Sequence, residues 1–476
     1  MTTAFIVLSL LIGFYLLWNM GANDVANSMG TAIGSKAISL KTALLIAASL
    51  EFLGSYILGS NVSETLQRKI IHVQFFELQP MLFILGMLSV LLGSAIWLQI
   101  ATFLKLPVST THAIIGAITG FGVAIFGFRA IQWNVIGTIA LSWIFSPLLS
   151  ACVSGAIFAF IQKKIFRSYN PVSVTKTLVP ILTFILLFIF IFSLFANGIE
   201  TFRLFLAFHW IFLIACSTAT VGFSIATFLC KKVPVPQTLS LPATKKKEKE
   251  VHRINQAYRY LLQAKLASSK KEDPKITQVL SLVHELLEEK LQATKWEDHT
   301  SSDYQTVEKI FGFLQILSAC SVAFAHGAND VANAIGPVSA VFTAITKPEQ
   351  LFSNASFSIP PFLLLFGGIS IVIGLFTHGW RVIETIGTNI TTLTPTRGFS
   401  AEFGASITIL FASKLGLPIS TTHAIVGSVL GVGLTRGLFS LNFNLIRGIF
   451  LSWVITIPAS AILCIFLLHL CMAIFL

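Results

Sequence analysis

The stretch that decides the reading of this chain is G-A-N-D-V-A-N, written at Gly21–Asn27 behind "FYLLWNM" and again at Gly327–Asn333 behind "LSACSVAFAH". Each copy sets an Asp and two Asn against a strongly apolar run. Of 476 residues, 55% are hydrophobic and only 11% charged, against roughly 25% charged in an ordinary soluble domain. Runs at 5–18, 81–103, 179–196, 204–229 and 449–476 reach or approach the ~20 apolar residues that cross a ~30 Å hydrocarbon core. The chain reads as a polytopic membrane protein.

The apolar N-terminus has no basic region before it and no clear cleavage site. It reads as a first membrane helix, not a cleaved signal peptide. The six cysteines form no CxxC or His/Cys spacing and read as small packing residues, which leaves out haem, zinc and redox chemistry. The net charge of +12 does not point to nucleic acid. Its cations gather at Lys163, Lys164, Arg167 and Lys176 and again from Lys231 to Lys309, between hydrophobic runs, as expected of cytoplasmic segments.

Internal repetition organises the rest. G-A-N-D-V-A-N recurs at an offset of 306, "LPVSTTHAIIG" (106–116) returns as "LPISTTHAIVG" (417–427) at 311, and "LSW" (141–143) returns at 310. The expected units are repeat one (1–162), connecting membrane helices (163–230), a hydrophilic helical linker (231–309) and repeat two (310–476). In the linker, Val251, Ile254, Tyr258 and Leu261, then Ile276, Val279, Leu280, Val283 and Leu287, recur at helical spacing on either side of Pro274. Spans near 3–20, 40–60, 81–103, 109–126 and 136–161 put five crossings in repeat one. If the basic segments are cytoplasmic, repeat two enters in the opposite sense, both termini lie outside, and the arrangement is that of inverted-repeat transporters. The turns at 105–107 and 416–418 fit re-entrant hairpins as well as full spans. The expected fold is therefore all-α and polytopic, with two inverted-topology repeats, discontinuous or re-entrant helices and roughly 12 membrane segments.

Nine carboxylates lie outside the linker. Of these, Asp24, Glu51, Asp330 and Glu402 fall within or against apolar segments, where an ionised Asp costs ~2.5–3.5 kcal/mol even on a lenient scale. No Lys or Arg accompanies Asp24 or Glu51 in mid-segment. Hard cations suit the Asp and Asn oxygens, with Gly and Asn allowing a local helix break that frees carbonyls. A hydrogen-bond network that only joins helices is the alternative. Ser109, Thr110, Thr111 and Ser420, Thr421, Thr422 each follow a Pro at the start of an apolar run. That fits either plain N-terminal capping or an anion site at a helix N-terminus. His112 and His423 read as packing residues. Carboxylates beside anion sites imply coupling, with cations binding first and completing a site for a small oxyanion.

The paired GANDVAN and P-[VI]-S-T-T-H-A-I-[IV]-G motifs, with "FSAEFGASITILFASKLGLPISTTHAIVGSVLGVGL" and the central loop, resemble the inorganic phosphate transporter (PiT) family over both membrane halves. The resemblance implies no enzyme and no cofactor, but a Na⁺- or H⁺-coupled phosphate symporter of the cytoplasmic membrane, forming a homodimer in the lipid bilayer. It also implies roles for residues. Asp24, Asn27, Asp330, Asn333 and the six hydroxyl residues would hold phosphate. Asn23, Asp24, Glu51, Asn329, Asp330 and Glu402 would hold Na⁺, with no other metal. Strict symmetry fails at the glutamates, since Leu91 aligns with Glu402 and Glu51 has no acidic counterpart. Metal–phosphate coupling and a sulfate substrate remain alternatives.

Overall fold

The computed structural model describes residues 2–104, 108–168, 170–196, 199–202, 204–234, 302–352, 359–389, 393–436 and 443–476, with 254, 257, 258, 261, 278–287 and 289 between them. The turn at 105–107 and most of the linker expectation lie outside the described residues. Within the linker, 278–287 is helical, with Leu280 and Leu287 on its buried side.

The first half supplies α1 (Thr2–Gly34), α2 (Leu40–Leu58), α3 (Pro80–Phe103), α4 (Thr110–Phe126) and α5 (Trp133–Ile161). Two helices follow, α6 (Pro171–Phe195) and α7 (Phe208–Lys232). The second half supplies α8 (Ser302–Asp330), α9 (Ala332–Thr346), α10 (Pro361–Asn389), α11 (Pro395–Lys414), α12 (Thr421–Arg436) and α13 (Phe443–Phe475). No strand occurs among the described residues. In hydrocarbon the backbone has to satisfy itself, and helices do so locally. Prolines at the first turns of α3, α6 and α11 use positions whose N–H has no intrahelical partner. Among the described residues, nine helical stretches are long and apolar enough to cross a membrane, and the apolar segments Pro361–Thr377 and Thr421–Thr435 are shorter.

Packing exchanges partners between the halves. α1 lies along α10 while α2 lies along α8; α4 packs on α13 while α12 packs on α5; α3 meets α1 while α11 meets α8. Each contact has a counterpart in which first- and second-half helices trade places. α6 and α7 pair with each other at the periphery and leave Ile181, Ile185, Phe212, Leu213 and Val221 exposed, as lipid-facing helices do.

The glycine that opens each G-A-N-D copy has a role different from the expected one. α1 runs unbroken through Gly21–Asn27. The second copy is only loosened at Val331, whose N–H lies 3.4 Å from the Gly327 carbonyl while its backbone stays α-helical. Both glycines instead permit backbone contact between helices. A Cβ on Gly21 would collide with the carbonyl of Ile371 on α10, and one on Gly327 with the carbonyl of Glu51 on α2. A freed carbonyl does occur in the second copy, but proline frees it. Pro337 within α9 has no N–H to offer the carbonyl of Asn333.

Helix ends matter at one further place. α1 closes with Lys36 N–H on Ile33 O (2.9 Å) and Ala37 N–H on Ala32 O (3.0 Å), a Schellman motif. α11 closes the same way at Gly416 (φ 65°), but the left-handed residue of α1 is Lys36 (φ 62°). A side chain there costs ~1–2 kcal/mol, against ~0.3–1 kcal/mol gained by a cation at a helix C-terminus. Capping alone does not account for the lysine.

Gly21→Ala and Gly327→Ala are each expected to lower the thermal unfolding midpoint of detergent-solubilised protein, by the equivalent of about 1–3 kcal/mol of overpacking. Gly137→Ala, whose Cβ would meet nothing within 4 Å, is expected to leave it unchanged or raise it. Size-exclusion recovery after heating checks all three.

Candidate ion and oxyanion site

The fold brings the two Asp and the two hydroxyl triplets to one buried place. Asp24, Asn23 and Asn27 come from α1; Asn329, Asp330 and Asn333 come from the α8–α9 junction; the triplets open α4 and α12. All twelve residues are buried. Ser109 and Ser420 are caps, accepting from the His112 and His423 N–H at 3.2 and 3.1 Å. Their hydroxyl oxygens thus have the ordinary capping role.

The threonines connect the copies crosswise. Asn27 Nδ2 donates to Thr422 (3.0 Å), and Asn333 Nδ2 reaches Thr110 and Thr111 (both 3.3 Å). Thr421 donates to Asp330 Oδ2 (3.1 Å), while Thr111 and Asn329 both donate to the Ile419 carbonyl (2.9 Å each). Asn27 and Asn329 also donate to the Oδ1 of the Asp in their own copy, at 3.2 and 2.9 Å, and Asn23 approaches Asp24 Oδ1 at 3.4 Å.

This arrangement uses the amide N–H groups and leaves oxygens over. Asp24 Oδ2, Asn27 Oδ1, Asn329 Oδ1 and Asn333 Oδ1 are buried without a hydrogen-bond donor. Buried acceptors left so cost ~1–3 kcal/mol each, and more when charged. Several hard oxygens facing one space are the donor set that alkali and alkaline-earth cations take, so the residues fit such an ion.

His326 is a member of the site that the sequence reading passed over. Its Nε2 lies 2.9 Å from Asp330 Oδ2 and its Nδ1 3.4 Å from Glu51 Oε1, though neither ring N–H is aligned as a hydrogen bond. Atoms of Asp24, His326 and Asp330 lie within 4.8 Å of one another. The signal was legible: in H-G-A-N-D the His stands one turn before the Asp, at i,i+4 on one helix face. The offset of 306 puts Met20 at the matching place in the first half.

The glutamates separate. Glu51 joins the centre, accepting from Ser28 (2.8 Å) one turn past Asp24. Glu402 does not. It accepts from Thr31, Gln315 and Ser318, and Thr31 is seven residues, ~10 Å of helix, beyond Asp24. Leu91, its counterpart, is fully buried among apolar neighbours.

Behind the triplets, His112 and His423 meet at 4.5 Å between ring centroids, each against the Trp of its own half (Trp143 at 3.9 Å, Trp453 at 3.5 Å). Each Nδ1 lies 3.3 Å from the carbonyl of the other half's Trp. Pro147, inside α5, lacks the N–H that would otherwise reach the Trp143 carbonyl, which is thereby open to His423. They are packing histidines at Nδ1, but their Nε2 atoms have no partner.

Spanning helices and a buried polar cage built from both halves are the architecture of a membrane transport protein. The sequence pattern of the phosphate transporter family matches residues 20–464, and the chain belongs to that family. It is 39% identical to a Chlamydia pneumoniae protein provisionally named a phosphate permease, over 96% of each chain. It is 38% identical to the chloroplastic inorganic phosphate transporter 2-1 of Arabidopsis thaliana, over 96% of this chain and 70% of the relative. A solved structure of a sodium-dependent phosphate transporter superposes with a TM-score of 0.79 at 33% identity, covering 99% of this chain and 100% of that one.

His326→Ala leaves Glu51 and Asp330 buried without the ring between them and is expected to cost about 3–5 kcal/mol of stability, as for a broken buried pair. Ile371 stands to Gly21 as Glu51 does to Gly327, so Glu51→Ile with His326→Met copies the apolar pair of the other half, Ile371 and Met20. The double variant is expected to be more stable than His326→Ala, in a non-additive cycle read by thermal unfolding.

Proposed function

We propose that the chain is a Na⁺-coupled phosphate symporter working by alternating access. The observation that carries this reading is the set of donor-less oxygens on Asp24, Asn27, Asn329 and Asn333, in a cage where the Asn27 and Asn333 amides reach the threonines of the opposite half. With Asp24 and Asp330 ionised, the cage repels an oxyanion. With Na⁺ held by Asn23, Asp24, Glu51, Asn329 and Asp330, it carries little net charge. Thr422, which accepts from the Asn27 amide, can then give its own hydrogen bond to a phosphate oxygen, and Thr110, Thr111 and Thr421 can do so on releasing their present acceptors (the Ile419 carbonyl for Thr111, Asp330 for Thr421), beside the α4 and α12 N-termini. Ordered binding follows: cations first, then phosphate, then a conformational exchange. Glu402 sits one step along the ion path on this reading.

The exchange of packing partners between the halves supports inverted repeats, with α3–α4 and α11–α12 as hairpins entering from opposite faces. The basic segments at 163–176 and 231–309 are then cytoplasmic and both termini outside, in a cell membrane. A homodimer completes the proposal. The solved neighbour is itself described as sodium-dependent, which supports Na⁺ over H⁺ as the coupling ion.

The test is labelled phosphate uptake into proteoliposomes under an inward Na⁺ gradient at equal pH, with excess sulfate as competitor. Uptake should need Na⁺, resist sulfate, and fall to the liposome background in Asp24→Asn and Asp330→Asn while the proteins remain folded. Wild-type uptake without Na⁺ would move the coupling to protons or metal. Full competition by sulfate would change the substrate.

A further inference from the structure

A cavity of about 440 Å³ opens where the end of α1, the start of α8 and the first turn of α11 meet, and its walls include Ser35, Lys36, Tyr304, Glu308, Lys309 and Pro395. That volume is within the ~300–1,000 Å³ of small-molecule sites. Lys36 and Lys309 are exposed and make no ion pair among the described residues. The one acid in the wall is already engaged, because Glu308 Oε2 accepts from the Thr396 N–H (2.8 Å) and Oε1 from its hydroxyl (2.9 Å). Two cations therefore face a cavity whose carboxylate is already engaged. Lys36 does so from a left-handed position that glycine fills in the matching turn of α11.

The cavity is also joined to the central cage. Ser35, in its wall, donates to Gln315 Oε1 (2.6 Å), Gln315 Nε2 reaches Glu402 (3.3 Å), and Glu402 accepts from Thr31 and Ser318. One turn further along α1, Ser28 holds Glu51 beside Asp330's histidine. The duplicated chain provides an internal control. At the offset of 306, Ala334, Pro337 and Val341 stand where Ser28, Thr31 and Ser35 do, and Phe342 where Lys36 does. Ile12 matches Ser318, and Leu91 matches Glu402; only Ser9, matching Gln315, stays polar, and its hydroxyl is turned to the Ile6 carbonyl. The polar route from the cage to the two lysines thus has no polar counterpart, Ser9 apart, at the matching positions of the other half.

We propose that this cavity is a second, weaker site for a phosphate-bearing anion, with Lys36 and Lys309 as its cations, at the mouth of the route from the central cage. The assignment of the anion rests on the transport reading above; the site itself does not. Two sources share this chemistry, inorganic phosphate passing the mouth and the phosphate of an anionic lipid headgroup. The positive-inside bias alone would place lysines at helix ends, but it does not require a walled cavity, a left-handed backbone or a polar chain behind them.

The test is protection of the lysines from acetic anhydride in the full-length protein, read by mass spectrometry, in nanodiscs of phosphatidylcholine with or without phosphatidylglycerol. Millimolar phosphate is expected to slow acetylation of Lys36 and Lys309 at least fivefold relative to chloride at equal ionic strength. Lys163, exposed on the loop between α5 and α6, should be unaffected. Lys36→Gln should abolish the protection at Lys309, in protein whose thermal midpoint is unchanged. The same protection should persist in Asp24→Asn/Asp330→Asn, which separates this site from the central one: a failed central reading leaves the lysine result standing. If acetylation is already slow without phosphate, but only in discs holding phosphatidylglycerol, the site stands and the lipid headgroup is its occupant. Equal labelling of Lys36, Lys309 and Lys163 under every condition overturns the proposal.

Discussion

Two carboxylates held within reach of one imidazole, deep among hydrocarbon-facing helices, set the terms for everything around them. Asp24 and Asp330 lie too deep for water to solvate freely, and charges so placed require partners. The protein supplies some: Asn27 and Asn329 amides on the Oδ1 atoms, Thr421 on Asp330, His326 between Asp330 and Glu51. It then stops short. The oxygens left bare are all hard donors, so on the proposed reading the same groups that destabilise the cage in isolation would give an entering cation its binding energy. The backbone-to-backbone fit at Gly21 and Gly327 serves this arrangement by holding α1 on α10 and α8 on α2 with no side chain between.

Much of this could be read from the chain. The apolar runs located α2 to α5 within a few residues, because in lipid a helix needs no tertiary partner to satisfy its backbone. The duplicated motifs pointed to the residues that the fold gathers into one buried cage, because Asp and Asn beside hydrocarbon have few structural justifications. What the sequence could not show was the pairing of one copy with the hydroxyls of the other, since a contact such as Asn27–Thr422 spans 395 residues and leaves no local trace. The glycine of G-A-N-D was read as a helix breaker because glycine weakens helices in general. Here a partner backbone outweighs that propensity. The free carbonyl in the second copy comes from Pro337, ten residues past Gly327, where the repeat carries Thr31 and the two halves cannot be equivalent. His326 was legible and unused, as an i,i+4 pair hidden by attention to the carboxylates.

The halves also diverge in a way that the motif repeats conceal. Where the letters are the same, as in the two S-T-T-H segments, the geometry is reciprocal to a few tenths of an ångström. Where they differ, one half is polar and the other apolar at matching depth: Glu402 against Leu91, Thr31 against Pro337, His326 against Met20. A frame of reciprocal contacts thus carries an asymmetric lining.

The crosswise bonding of Asn27 to the second triplet and Asn333 to the first has a consequence for how the molecule can exist at all. Neither half owns a complete cage, and neither can bury its own helices, because the surface that covers α1 belongs to α10 and the surface that covers α8 belongs to α2. The chain is in effect a heterodimer whose subunits happen to share one polypeptide. Cut between α7 and α8, the two pieces would still be complementary templates for each other. A substitution on one side therefore has its fit judged on the other.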